Sequence, residues 1–128
     1  MAAGAKNLRT RVLLVEGDDL VRSAMASFLE AKDCVLTVCP TASRAIEALK
    51  EERYDLIICD LAVANEDCTD LFGLSGSRCP AAKRVLMTSP KETPLAAVLN
   101  EFGIDAVMEK PLTPKNVEDC LVQLAQGR

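Results

Sequence analysis

At 128 residues, 49% hydrophobic and 27% charged, the chain has the size and balance of one globular domain, which excludes a charge-rich disordered tail. A formal charge of −4 with scattered basic residues argues against a nucleic-acid surface, which needs a clustered positive face. With no histidine, it cannot run histidine acid–base catalysis, a Ser-His triad, or a zinc site not built from cysteine and carboxylate.

Residues 1–10, MAAGAKNLRT, lack the apolar core of a signal peptide and are expected to be a flexible extension ahead of a single domain over 11–126. Five short β-rich runs follow: RVLLV (11–15), CVLTVC (34–39), DLIIC (55–59), RVLMT (84–88) and AVMEK (106–110). Helix-period segments separate them. Leu20, Val21, Ala24, Met25, Phe28 and Leu29 form the first, capped by Asp18 or Asp19. A second starts at Thr41 or Ser43 and runs through Ala45, Ile46 and Leu49. The third, around CTDLFGLSGSR, contains Gly73 and Gly76 and is expected to be the weakest. TPLAAVLNEF and TPKNVEDCLVQLAQ each open with a capping Thr and a Pro at the first helical position. No run approaches the ~18 apolar residues of a membrane span, so the expected location is the cytoplasm. The six cysteines contain no Cys-x-x-Cys pair and are expected as reduced, largely buried thiols.

Strands alternating with helices through right-handed crossovers predict an α/β domain, an open doubly wound sheet whose ligand site lies outside the carboxyl ends of the strands. With strand order 2-1-3-4-5, Glu16, Asp60, Thr88 and Lys110 share one rim. Asp60 can act as a nucleophile toward phosphorus. Thr88 and Lys110 can hold phosphoryl oxygens, and a carboxylate-bound cation can offset the repulsion between Asp60 and the incoming group.

The blocks VLLVEGDD, DLIICDLAVANED, VLMTS and EKP resemble the response-regulator receiver domain of two-component signalling, over about residues 11–125. The resemblance implies a (βα)5 flavodoxin-like fold with helices on both faces. It implies that Asp60 is the phosphoacceptor, Thr88 the hydroxyl residue and Lys110 the conserved-type lysine, with a cis bond before Pro111. Magnesium would be held by Glu16, Asp60 and the backbone carbonyl of Ala62. Implied partners are a sensor histidine kinase or phosphotransfer protein and a downstream output domain or effector, met by the surface of 93–102, 106–110 and 113–126, which could also pair two copies. No external substrate, membrane or direct nucleic-acid contact is expected. As no output domain is visible, the chain is expected to be a stand-alone regulator or part of a larger one.

Four positions depart from the family pattern. Gly17 stands where the family has its direct metal ligand, which weakens the expected magnesium site. Val107 replaces a usual Tyr or Phe. In the expected loop after Asp60, Ala64 and Cys68 replace Pro and Gly. These departures support an alternative, a degenerate receiver that binds partners without phosphorylation. A flavin or nucleotide domain of the same topology is disfavoured, because EGDDL offers no cradle for a phosphate.

Overall fold

The computed structural model describes residues 10–90, 101 and 103–126. Strands β1 (Arg11–Val15), β2 (Val35–Cys39), β3 (Leu56–Asp60), β4 (Lys83–Thr88) and β5 (Ala106–Glu109) form one parallel sheet of order β2-β1-β3-β4-β5. Helices α1 (Asp19–Glu30), α2 (Ala42–Glu51), α3 (Leu61–Arg78) and α4 (Pro114–Gln126) cover it. This is the doubly wound flavodoxin-like arrangement that the alternating pattern predicts. The helix expected over TPLAAVLNEF lies outside the described residues, apart from helical Glu101.

A parallel sheet covered on both faces must bury both sides of its strands. Leu13, Val15, Ile57, Cys59 and Leu86 face α2 and α3 through Ala45, Leu49, Leu71 and Phe72. Their neighbours Val12, Leu14, Ile58, Val85 and Met87 face α1 and α4 through Met25, Leu29, Val117 and Cys120. Cys39, Cys59, Cys79 and Cys120 are buried, and among them Cys39, Cys79 and Cys120 are free thiols.

The helix starts follow capping chemistry. The Asp18 carboxylate accepts the N–H groups of Leu20 and Val21 at 2.9 and 3.0 Å. The bond from the Val21 N–H is the largest influence holding that carboxyl below its usual range. Thr41 caps α2 through the Arg44 N–H, and Thr113 caps α4 through the Asn116 N–H. Asp18 is therefore a cap.

One expectation is corrected here. No loop separates β3 from α3: the helix begins at Leu61, straight after Asp60, and runs for 18 residues through both glycines. Gly73 and Gly76 are exposed, so they cost α3 propensity without leaving a hole in the core. Buried Leu71, Phe72, Ser75 and Cys79 supply a helix-spaced inward stripe, and tertiary packing of that stripe outweighs weak propensity.

Arg84 is the anomaly of the core. It sits inside β4 yet is only 9% exposed, and among the described residues no carboxylate pairs with its guanidinium. Instead Nε donates to Ser75 Oγ at 3.1 Å and Nη2 reaches the Cys79 carbonyl at 3.4 Å. Both partners lie at the C-terminal end of α3, where the helix dipole favours a cation. Gly103, at φ 63, passes close to the same guanidinium: a Cβ there would stand 3.5 Å from Nη1. Its left-handed backbone already favours glycine.

Candidate functional site

The carboxyl ends of β1, β3, β4 and β5 bring the predicted residues to one rim. Glu16 is the first residue past β1, and its N–H donates to the Cys39 carbonyl at 3.1 Å. Asp60 closes β3 and Thr88 closes β4, one position beyond Met87, which is the cross-strand partner of Asp60. Lys110 follows β5, its N–H donating to the Thr88 carbonyl at 2.6 Å. The Lys110–Pro111 bond is cis, as the resemblance implies.

Three side chains converge there. Lys110 Nζ donates to Asp60 Oδ1 at 2.9 Å and lies 2.9 Å from Glu16 Oε1. Glu16 is almost fully buried, at 1% exposure. Its Oε2 accepts the Asp18 N–H at 2.9 Å. Oε1 has no hydrogen-bond donor, so the ammonium is close enough to pair by charge but off the line of a hydrogen bond. Thr88 is buried and is not among the residues that wall the open pocket, which are Glu16, Gly17, Asp18, Asp60, Ala62, Val63, Ser89 and Lys110.

Ala62 lies in the first turn of α3 and lines the open pocket. A helix commits its carbonyls to the N–H four residues on, so a cation held by the Ala62 carbonyl would take that oxygen's second lone pair. Asp60 occupies the N-cap of α3 without making a side-chain cap bond, which leaves its carboxylate to Lys110.

Two contributors escaped the sequence reading. Arg22 donates from Nη1 to the carbonyls of Glu16 and Gly17, at 3.0 and 3.4 Å, pinning the loop that presents Glu16. Its only sequence signal was a basic residue one turn into a helix behind an acidic loop. Val63 packs its γ2-methyl 3.4 Å from where a Gly17 Cβ would stand. This contact exists because α3 starts early, which the sequence did not reveal.

Can these residues hold a hard divalent cation? Among the described residues no three acidic, histidine or cysteine side chains form a metal cluster. Magnesium, however, commonly takes only one or two carboxylates and completes its shell with water and phosphate oxygens. The buried, donor-less Glu16 Oε1 beside Asp60 is the kind of oxygen such an ion satisfies. The donor set fits at its lower limit.

Burial alone would lower the Lys110 pKa, but the hydrogen bond with Asp60 and the charge attraction of Asp60 and Glu16 outweigh it and raise the value above 10.5. A lysine raised in the folded state stabilises the fold fully below its unfolded pKa and loses that contribution as pH climbs through the folded one. Chemical denaturation of the wild type should therefore weaken faster above pH 10.5 than that of Lys110→Met. Parallel pH profiles would show the pairing to be inert.

The response regulator receiver domain model matches residues 12–121. Transcription factor SKN7 of Chaetomium thermophilum is 27% identical over 94% of this chain, which spans only 16% of that relative's length. A CheY-like receiver domain protein from Methanospirillum hungatei superposes with a TM-score of 0.81 at 19% identity, covering 93% of this chain and 95% of its own. A Burkholderia pseudomallei response regulator, solved with a phosphorylated aspartate and a calcium ion, superposes at 0.74 with 17% identity, covering 91% of this chain and 72% of its own. The sheet order, the strand-end rim and a family match over nearly the whole chain lead to one conclusion: this chain belongs to the response-regulator receiver domain family of two-component systems.

Proposed function

We propose that Asp60 accepts a phosphoryl group from the phosphohistidine of a sensor kinase or phosphotransfer protein. An Asp60 carboxylate oxygen attacks phosphorus, the new P–O bond forms as the P–N bond breaks, and the departing imidazole nitrogen keeps the electron pair and is protonated from solvent. Lys110 carries this assignment, since its ammonium touches Asp60 across 50 positions of sequence and can follow charge onto the phosphoryl oxygens. Thr88 is assigned the hydroxyl that donates to one of those oxygens. When bound, magnesium would supply charge neutralisation between Asp60 and the phosphoryl group, held by Glu16 and Asp60.

Replacing a carboxylate by an acyl phosphate adds charge and acceptor oxygens at the rim. That addition shifts a pre-existing equilibrium of the surface containing β5 and α4, which meets an output domain or effector. The domain turns over no external substrate, and it acts in the cytoplasm without touching nucleic acid or membrane itself. Incubation with acetyl phosphate and magnesium is expected to add the mass of one phosphoryl group to the wild type and nothing to Asp60→Asn. An unmodified wild type would discard the assignment.

A second reading, a degenerate receiver that binds partners irrespective of phosphate, draws on Gly17 and on Val107. The former contributes no ligand; the latter is 45% exposed on β5 and has no ring to move inward. Partner binding that ignores both phosphodonor and Asp60→Asn would favour it.

A further inference from the structure

We infer that the outer edge of β2 is a self-association surface, on which a second copy of this chain lays its own β2 antiparallel and joins the two sheets into one. β2 is the end strand of the sheet. The Val35 N–H donates to the Thr10 carbonyl and the Cys39 carbonyl accepts the Glu16 N–H, so Val35, Thr37 and Cys39 spend their backbone groups on β1. Backbone groups alternate sides along a strand. Leu36 and Val38 therefore present theirs outward, where among the described residues no strand pairs with them. Edges are commonly guarded by a charge, a proline or a bulge. The opposite edge, β5, carries Glu109 and is followed by Lys110 and Pro111, whereas VLTVC holds no charge or proline and keeps an unbroken register with β1.

The strand's own sequence names the occupant. With a two-fold axis at Thr37, Leu36 of one copy lies opposite Val38 of the other, and the pair exchanges both of its backbone hydrogen bonds on each side of the axis. The same pairing sets Val35 against Cys39 and Thr37 against Thr37, which are favourable cross-strand matches. Leu36 and Val38 share one face of the strand, so aliphatic side chains of both copies meet there and Val38, 38% exposed, is covered. Charge agrees with this direction. Antiparallel strands carry the Asp33 turn of one copy toward Arg44, exposed at the start of α2 in the other, and Arg44 makes no ion pair among the described residues. A strand pair alone buries less than a standard interface, which places the association in the weak, concentration-dependent class. Because the strands run in opposite directions, the two carboxyl-end rims face apart and stay open. The inference therefore stands apart from phosphorylation and from any pairing through β5 and α4.

Sedimentation velocity of the full, unphosphorylated chain over a dilution series, read beside amide hydrogen exchange, tests this. The mass should rise from monomer to dimer with concentration, and the Leu36 and Val38 amides should slow in step, while that of Thr37, already held by β1, should not change. Val38→Pro removes an outward N–H at an edge position that tolerates proline, and Val38→Lys sets an ammonium against Leu36 of the second copy. Each should weaken dimerisation at least about tenfold with the far-ultraviolet circular dichroism of the wild type. Val107→Lys, on the exposed part of β5, should leave dimerisation unchanged. A wild type that stays monomeric throughout the series overturns the inference. So does a dimer that survives the folded Val38 variants, one that is lost in Val107→Lys, or one that forms without slowing the Leu36 and Val38 amides.

Discussion

Replacing Arg84 with alanine is expected to destabilise the fold by about 3 kcal/mol, while Arg84→Met loses less than half as much. Alanine removes the long stem that fills the space between β4 and the C-terminal end of α3, leaving a cavity against Ser75, Cys79 and Gly103. The guanidinium's own partners survive its loss, because the Cys79 carbonyl still accepts the Ala82 N–H and the Ser75 hydroxyl still donates to the Phe72 carbonyl. Packing should therefore dominate the cost, and a methionine of similar reach restores most of it. Urea denaturation of the two variants decides the matter. Equal losses would instead mean that the charge at the helix terminus, and not the stem, holds α3 in place.

The second large effect is a gain. Gly17→Asp is expected to raise divalent-cation affinity by at least about tenfold, by returning a carboxylate to the pocket. The backbone permits it: a Cβ at Gly17 would meet Val63 Cγ2 at 3.4 Å and the Pro40 carbonyl at 3.7 Å, both ordinary contacts. Manganese titration of Gly17→Asp beside the wild type reads the change. If affinity does not move, Val63 or the α3 turn blocks the space that the added side chain needs.

How much of this was legible beforehand depended on the kind of signal. The parallel α/β class followed from alternation of apolar runs, and rim membership from what each run ends on once the order 2-1-3-4-5 was assumed, which the sheet bears out: Glu16, Asp60, Thr88 and Lys110 are all terminal or next to terminal on their strands. Caps at Asp18, Thr41 and Thr113 were readable because a short polar side chain before an apolar helical period has one favoured job. Arg84 was not readable. In RVLMT an arginine opens an apolar run and looks like a solvated strand end; only the approach of α3 and Gly103 buries it. The early start of α3 was hidden for a related reason. LAVANED reads as a loop once a loop is expected there, and the packing of Leu61 and Val63, 5% and 6% exposed, exists only in three dimensions. Gly17 was visible as a missing ligand, but the double engagement of Lys110 by Glu16 and Asp60 depends on distances that no spacing encodes.

The central claim is that Asp60 is the atom acceptor at this rim, and borohydride trapping reaches it most directly. After incubation with acetyl phosphate and magnesium, reduction of an acyl phosphate leaves homoserine at the modified residue, which peptide mass mapping locates. The account predicts homoserine at position 60 and at no other acidic residue, with none in Asp60→Asn. Homoserine at Asp18 or Asp19, or 5-hydroxynorvaline at Glu16, with position 60 untouched would contradict it.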